Sequence, residues 1–118
     1  MKKYNYSKGR IAEGMAKKYL ESKNYIWIES NYTNEIGEID IVMSDKDWLV
    51  FVEVKYKADD TKGLPEEMIN RVKVNQVKRV AELFILTNKI LKTKFSKYRI
   101  DAVCILGEKI NHYQNIQK

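Results

Sequence analysis

The fold of this chain is decided by the stretch Gly37-Glu38-Ile39-Asp40-Ile41-Val42-Met43-Ser44-Asp45-Lys46-Asp47-Trp48-Leu49-Val50-Phe51-Val52-Glu53-Val54-Lys55. Two apolar runs rich in β-branched residues flank the polar segment 44–47, and this pattern predicts a β-hairpin. Residues 48–52 are apolar on both faces of the second strand, so we expect that strand to be central and buried.

The open end of this hairpin carries charged residues on both strands. Glu38 and Asp40 belong to the first strand, and Glu53 and Lys55 belong to the second. Residues two apart on a strand share a face, so each of these pairs should point the same way. Charges at the end of a buried strand are costly unless they are paired or bound to a metal ion.

The length of the turn decides which of these residues face each other. A four-residue turn, 45–48, with Ser44 opposite Leu49, would place Asp40 opposite Glu53. Directly opposed residues have Cβ atoms about 5 Å apart, so the two carboxylates would repel each other. A divalent cation between them would remove that repulsion. A shorter turn would shift the register and weaken this prediction.

Length and composition restrict the class of protein. The 118 residues suit one domain, 1–118, and a hydrophobic content of 44% is enough for a core. The net charge of +6 favours a polyanionic partner such as nucleic acid, although a lysine-rich surface that serves only solubility explains it equally well. No apolar run has the length of a membrane span and none follows the basic N-terminus, so we expect a cytoplasmic protein without signal peptide or membrane partner.

The single cysteine and the single histidine do not indicate a metal centre. Cys104 lies in the apolar run 100–106 and is expected to be a small buried hydrophobe. His112 falls in a predicted edge strand, where a lone histidine is more often surface decoration than a ligand. Arg99 and Asp101 are expected to form a cross-strand ion pair.

Helices and strands follow one another on both sides of the hairpin. Ser7 is a candidate N-cap for a first helix that ends near Asn24. The polar segment 57–65 should be a mobile loop that either touches substrate or is a plain connection. The order α-β-β-β-α-β-β predicts a mixed α/β architecture. Its elements are a helix at 8–23, a strand at 25–31, the two hairpin strands, a helix from Pro65 or Asn70 to Thr87, a helical turn within 88–96, and strands at 98–106 and 109–114.

Three polar residues on the predicted helices have two interpretations each. Glu13 lies at the border of the apolar stripe of the first helix, where a solvated edge residue is the ordinary explanation. Lys73 lies on the core face of the later helix, so its side chain should reach past the core toward a polar site or toward solvent. Gln76 lies beside it, and as isolated residues both are ordinary helix polars.

An acidic residue in the first helix, an Asp that ends a hairpin strand and Glu-x-Lys on the next strand together resemble the restriction-endonuclease-like nucleases. Within that superfamily the chain resembles the uncharacterised bacterial YraN family, and its layout is similar to archaeal Holliday-junction resolvases. Glu-x-Lys alone is a weak motif, whereas Gly-Glu-Ile-Asp followed at this spacing by Phe-Val-Glu-Val-Lys is specific. The resemblance covers nearly the whole chain and is carried by Gly9-Arg10-Ile11-Ala12-Glu13, Ala16, Tyr19-Leu20, Asn31, Gly37-Glu38-Ile39-Asp40, Phe51-Val52-Glu53-Val54-Lys55, Lys73, Ala81 and Arg99-Ile100-Asp101.

This resemblance implies a restriction-endonuclease-like three-layer fold with a central mixed β-sheet flanked by helices. It also implies hydrolysis of phosphodiester bonds in DNA with Mg²⁺, or Mn²⁺ as a substitute. Asp40 and Glu53 would be metal ligands and Lys55 the catalytic lysine, while Glu13 would be an accessory ligand or would position water. Ala12 departs from the glycine that the resemblance leads us to expect, but a helix tolerates alanine better. The residues implied to approach the scissile phosphate or to bind DNA are Lys73, Gln76, Lys8, Arg10, Lys78 and Arg79.

Three functions stay open at this point. The first is a metal-dependent endonuclease acting on DNA, including branched or otherwise structured DNA. The second is a catalytically inactive nucleic-acid-binding module with the same fold, and the third is a structural partner protein whose acidic cluster is incidental. The intact set of Asp40, Glu53 and Lys55 argues against the third and modestly against the second. The chain is expected to be a monomer or a homodimer, and a dimer would suit junction cutting because two strands need two sites.

Overall fold

A computed structural model describes the backbone of residues 2–118 and the side chains from residue 8 onward. The predicted order of helices and strands is confirmed, the helical turn predicted within 88–96 is a third α-helix, and a short 3₁₀ helix is added. In chain order the elements are α1 (Lys2–Ser22), β1 (Ile26–Thr33), β2 (Glu38–Asp45), β3 (Trp48–Lys57), the 3₁₀ helix Pro65–Met68, α2 (Arg71–Thr87), α3 (Lys89–Lys94), β4 (Lys97–Leu106) and β5 (Lys109–Tyr113).

The five strands form one mixed sheet in the order β1-β2-β3-β4-β5. β1, β2 and β3 are antiparallel neighbours, β3 and β4 are parallel, and β4 and β5 are antiparallel. The crossover between the parallel pair contains α2 and α3, as expected for strands that a tight turn cannot join. The structure is therefore a mixed α/β fold in which the predicted central strand, β3, lies in the middle of the sheet.

Helices cover both faces of the sheet, and each face has its own hydrophobic core. On one face, Ala12, Ala16 and Leu20 of α1 pack against inward residues of β2, β3 and β4. On the other face, Val77, Val80, Ala81 and Phe84 of α2 pack against residues that include Phe51 and Ile100. Two covered faces explain why β3 is apolar at consecutive positions, since both sides of a central strand are buried.

The start of the first helix differs from the prediction. α1 begins at Lys2, so Ser7 lies inside the helix and the prediction that it is the N-cap is wrong. No glycine or proline interrupts residues 2–6, and serine is only mildly unfavourable within a helix. The predicted stop near Asn24 is confirmed, because this residue has a φ of 72° just beyond the last helical residue. Within the described residues, no helix has both the length and the apolar character needed to cross a membrane.

The hairpin turn is shorter than predicted, yet the register is the predicted one. Asp45 pairs with Trp48, so only Lys46 and Asp47 form the turn, and the prediction of a four-residue loop is wrong. Lys46 adopts the left-handed conformation, with a φ of 56°, that a tight hairpin turn requires. Ser44 still faces a leucine, Leu49, because the extra pair closes the predicted loop without moving the strands past each other.

A network of buried polar side chains lies on the α1 face of the sheet, near the hairpin turn. Its contacts show that two predictions from the sequence are wrong. Arg99 and Asp101 bond to each other along one strand, at 2.9 Å between Nε and Oδ1, and not across strands. Arg99 reaches across to Asp45, at 3.1 Å, and to the hydroxyl of Tyr25. His112 is not surface decoration, because its side chain is 7% exposed and its Nε2 lies 2.8 Å from Asp101 Oδ2. The predicted burial of the single cysteine is confirmed.

Candidate active site

The site forms where the ladder between β2 and β3 ends. The last backbone pair is Ile41 with Val52. One residue further along β2, the side chain of Asp40 bonds to β3 in place of the backbone. Its Oδ2 accepts a 2.8 Å hydrogen bond from the backbone N–H of Val54. Ile39 and Ile41 belong to the cores on opposite faces of the sheet although they are two residues apart. The strand therefore rotates at Asp40, and this rotation turns the carboxylate toward β3.

Glu53 is the most enclosed of the carboxylates at this end of the sheet, with 3% of the residue exposed. Its Oε2 lies 3.2 Å from the Nζ of Lys55 and 3.4 Å from the Nζ of Lys73. Lys73 comes from the first turn of α2, which begins where the Asn70 side chain accepts a hydrogen bond from the Lys73 amide. A buried carboxylate needs such partners, because burying an unpaired charge is strongly unfavourable.

Glu13 enters the same site from α1, which packs on the opposite face from α2. Burial raises the pKa of Glu13, and the charges of Glu38 and Glu53 raise it further. A hydrogen bond with Asn31 and the charge of Arg10 act in the opposite direction without cancelling the shift. Glu13 is therefore partly buried and interacts with charged residues of β2 and β3, unlike a solvated residue at the edge of the helix.

Asp40 carries the largest electrostatic strain of the site. Burial raises its pKa to about 7, and the negative charges of Glu53 and Glu13 add to that rise. The Val54 amide and the Lys55 ammonium lower the pKa, but they do not outweigh the other causes. The charged form of Asp40 is therefore unfavourable in the folded protein, and a cation beside this carboxylate would stabilise that form.

These side chains line one open pocket of about 520 Å³ between α1, the strand ends and the start of α2. Both carboxylates and ammonium groups line its wall, a mixture that can hold a cation and a phosphate. The volume is sufficient for a phosphodiester group with its water. The charged lining residues are Lys8, Glu13, Glu38, Asp40, Glu53, Lys55, Lys57 and Lys73.

Comparison with known proteins places the chain in a family at this point. The family model described as "Uncharacterised protein family UPF0102" matches residues 12–105. The chain belongs to this family. UPF0102 proteins that are similar to it occur in Aliivibrio salmonicida, 40% identical over 92% of this chain and 89% of the relative, and in Dictyoglomus thermophilum, 36% identical over 86% and 83%. The bacterial family named from the sequence is thereby confirmed.

The matched range of the UPF0102 family includes every carboxylate of the pocket and both lysines that contact Glu53. The shared region therefore contains the whole acidic part of the site and not only the core strands. Lys8 lies outside the matched range although it lines the pocket.

Not every residue predicted for the site lies in this pocket of the UPF0102 chain. Gln76 and Arg79 line a separate surface next to Glu35 and Ile36, and the Gln76 Nε2 donates a 3.4 Å hydrogen bond to the Ile36 carbonyl. Lys78 is exposed on α2 and does not line the pocket. These three residues lie where they can contact a long polyanion outside the pocket, whereas Lys73 lies beside the carboxylates.

Two lining residues were missed because β3 is longer than predicted. Residues 56 and 57 continue the strand beyond Lys55, whereas the sequence predicted a loop from residue 57. Lys57 is two residues from Lys55 and therefore shares its face of the strand, so the signal was present in the sequence. Tyr56 and Lys57 both line the pocket and extend it along the direction of the strand.

The donor set fits a hard divalent cation that keeps part of its water shell. Carboxylate oxygens are the ligands that Mg²⁺ prefers, and Mg²⁺ usually takes only one or two from a protein and completes its shell with water and phosphate. Within residues 8–118, no group of three or more His, Cys, Asp or Glu side chains is arranged to hold a metal ion. Asp40 and Glu53 line the same pocket at one strand end, and a cation bound there would be held by these two carboxylates together with water or phosphate.

Proposed function

We propose that this UPF0102 protein is a metal-dependent endonuclease that hydrolyses phosphodiester bonds in DNA, with branched or structured DNA among its substrates. The observation that supports this proposal is the convergence of Asp40, Glu53 and Lys55 at the mouth of one open pocket. Carboxylates for a hard cation, an ammonium group and room for a phosphate are the parts that this chemistry needs.

The architecture agrees with the proposal. A mixed sheet covered by helices on both faces, with Asp and Glu-x-Lys on adjacent strands at one edge, resembles the restriction-endonuclease-like fold. A fold alone does not establish an activity, so the proposal depends on the residues of the site. The net charge of +6 suits a polyanionic substrate such as DNA.

Each residue of the site has a role in the proposed reaction. Asp40 and Glu53 would hold Mg²⁺ or Mn²⁺, which supplies an activated water and neutralises charge on the phosphate. The Lys55 ammonium, now 3.2 Å from Glu53, is placed to orient that water or to stabilise the developing negative charge. Lys73 lies 3.4 Å from the same carboxylate and can exchange this partner for a phosphate oxygen. Glu13 would position water from the α1 side of the pocket.

A nucleic-acid-binding module without turnover is the alternative function. Both lysines pair with the same oxygen of Glu53, so the site is electrostatically satisfied in part without a cation. This arrangement favours a module in which ammonium groups permanently replace the metal. The alternative predicts DNA binding that does not depend on divalent ions.

A cleavage screen separates the two functions. Labelled duplex, flap, single-stranded and four-way-junction DNA are incubated with Mg²⁺ or Mn²⁺ and wild type, Asp40→Asn or Glu53→Gln. Asp47→Asn is the matched control, because this exposed carboxylate lies in the turn at the opposite end of the same hairpin. We expect wild type and Asp47→Asn to cut and both site variants to lose cutting. Equal cutting by all four proteins would refute the site, and binding without cutting on every substrate would favour the binding module.

A further inference from the structure

A second pocket, of about 510 Å³, lies on the α2 face of the sheet beyond the 3₁₀ helix. Its floor is formed by Ala102 and Cys104 of β4, and both residues are almost fully buried. Its walls come from the 3₁₀ helix, the first turns of α2 and the residues after β4. The wall includes Glu66, Ile69, Arg71, Val74, Tyr113 and Ile116.

This second pocket is the immediate neighbour of the proposed active site. In the parallel pairing of β3 with β4, Glu53 lies beside Ala102 and Lys55 lies beside Cys104. Adjacent strands are about 4.8 Å apart, so the floors of the two pockets are one strand spacing from each other. Lys73 lines the first pocket and Val74, the next residue, lines the second. The start of α2 therefore divides one surface into two compartments.

The chemistry of the second compartment differs from that of the first. Its floor and much of its wall are apolar, with Val74, Ile69 and Ile116 among the lining residues. The rim carries an aromatic ring, Tyr113, that is 41% exposed. Flat apolar faces with polar edges are what a nucleobase presents, and proteins bind unstacked bases between aromatic or apolar side chains.

Polar groups at the edges of the compartment suit the edge of a base. The Glu66 carboxylate accepts a 2.7 Å hydrogen bond from the Tyr113 hydroxyl and a 3.5 Å hydrogen bond from the Asn111 amide. A carboxylate accepts well from an exocyclic amino group, and the amino group of cytosine is the usual partner. Arg71, exposed at the rim, adds a positive charge for the neighbouring phosphates.

The cysteine on the floor does not suggest a covalent reaction. Burial raises the pKa of Cys104 to about 12, with a further rise from the charge of Glu66. A thiol in that state is not a nucleophile, so the floor is chemically inert and apolar. Cys104 therefore gives this compartment no reactive nucleophile.

We propose that this second pocket binds one unstacked nucleobase, preferably cytosine, of the DNA strand whose phosphate occupies the pocket of Asp40 and Glu53. The inference rests on the proposed function for the identity of the polymer, because the phosphate pocket fixes where the strand runs. Unstacking a base costs least where it is already unpaired. The two compartments together therefore select strands with an unpaired nucleotide next to the bond that is cut.

Photo-crosslinking tests this base pocket without requiring turnover. Single-stranded oligodeoxynucleotides with one 5-iododeoxycytidine are irradiated with the full chain in the presence of a chelator, and the crosslinked peptide is identified by mass spectrometry. We expect the crosslink on Tyr113, the aromatic residue of the pocket. A crosslink confined to Tyr56, which lines the first pocket, would overturn the inference. A crosslink on Tyr113 combined with no cutting in the screen with Mg²⁺ or Mn²⁺ would refute hydrolysis and support the base pocket, whereas cutting in that screen without a crosslink on Tyr113 would do the reverse.

A filled pocket gives the second test. Val74→Phe places a larger side chain in the pocket, and Leu86→Phe is the matched control because Leu86 is 63% exposed on the same helix and does not line the pocket. Val74→Phe should lower the affinity for single-stranded DNA about tenfold, as expected for one lost stacked base, and should leave duplex affinity unchanged. Tyr113→Leu should have the same effect with less risk to folding, because its ring lies on the rim. Wild-type affinity for single strands in Tyr113→Leu would overturn the inference.

Discussion

The Asp40 carboxylate accepts a 2.8 Å hydrogen bond from the backbone amide of Val54, the residue that follows Glu53 on the neighbouring strand. This bond replaces a backbone pair at the point where the ladder of β2 and β3 ends. It holds the Asp40 carboxylate next to Glu53, although the negative charges of the two side chains repel each other. The geometry of the site is therefore set by the sheet before any cation binds.

The first prediction concerns stability and pH in the absence of metal. Burial and the charge of Glu53 raise the pKa of folded Asp40 to about 7 from an ordinary value of 3.8. Between these values the folded state holds a proton that the unfolded state has lost, so the free energy of unfolding falls as pH rises from about 4 to about 7. Asp40→Asn should remove this slope and be more stable than wild type at pH 8, by on the order of 1–3 kcal/mol.

The measurement is urea unfolding with a chelator at several pH values between 4 and 8. Asparagine retains an oxygen that can accept the Val54 amide hydrogen bond, so the comparison isolates the charge. Asp47→Asn, in the exposed turn, should follow wild type at every pH. A variant Asp40→Asn that is less stable than wild type at pH 8 would mean that the carboxylate is a structural acceptor and not a strained charge.

The second prediction is stabilisation by divalent metal. A ligand that binds only the folded state raises its stability by RT ln(1 + [L]/Kd), so Mg²⁺ or Mn²⁺ should raise the melting temperature of wild type. The gain should appear at millimolar metal, because two carboxylates with water and phosphate make a weak site. Asp40→Asn and Glu53→Gln should lose most of the gain. Melting curves at matched ionic strength measure it, and equal gains in all proteins would remove these carboxylates from the metal site.

The third prediction separates turnover from affinity. Lys55→Ala should lose most cleavage activity and keep most DNA affinity, because its ammonium lies at the carboxylates while affinity comes from many exposed basic residues. Lys109→Ala, in an exposed position on β5, is the control and should keep full cleavage activity and most DNA affinity. Affinity measured at several salt concentrations should fall steeply with salt in all three proteins. Affinity that does not respond to salt would exclude binding along the phosphate backbone.

The hairpin shows how much of the site was available from the sequence. Alternation and apolar runs predicted the two strands, and the observed pairing of Ser44 with Leu49 is the predicted register, which brings Asp40 and Glu53 to the same end of the hairpin. The predicted turn length was wrong because Lys46 adopts a left-handed conformation. A glycine or asparagine would have indicated such a turn, and this turn contains neither. The register is nevertheless the predicted one, because closing the loop by one more residue pair does not shift the strands relative to each other. Strand patterns are local, so a site at a strand end is predictable from them.

The contacts of the buried polar network could not be predicted from the sequence. Tyr25 accepts a hydrogen bond from Gln114, and the two residues are 89 positions apart in the chain. His112 is enclosed because Tyr25 and Tyr19 lie edge-on to its ring, and these aromatic residues come from the other end of the chain. Periodicity within one strand cannot report such contacts, since they depend on how distant elements pack. The strand pattern therefore predicted that His112 is exposed, although residues distant in the chain cover its ring.

The last prediction concerns this network. Burial alone would raise the pKa of Asp101, but hydrogen bonds from His112 and Arg99 outweigh it and hold the pKa below its ordinary value. Asp101 is fully buried, so Asp101→Asn would leave the Arg99 charge without its main partner. Breaking a buried pair in this way should lower the free energy of unfolding by about 3–5 kcal/mol. Urea unfolding at pH 7 measures the loss.

The pH dependence of that loss identifies its cause. A depressed carboxylate pKa stabilises the fold above the ordinary value of 3.8, and this stabilisation disappears as pH falls through the lower folded value. The difference between wild type and Asp101→Asn should therefore be largest near neutral pH and shrink below pH 4. Glu108→Gln, in the exposed turn after β4, is the control and should cost almost nothing. A loss that stays constant down to acid pH would mean that shape and hydrogen bonding, and not the charge of Asp101, hold the network together.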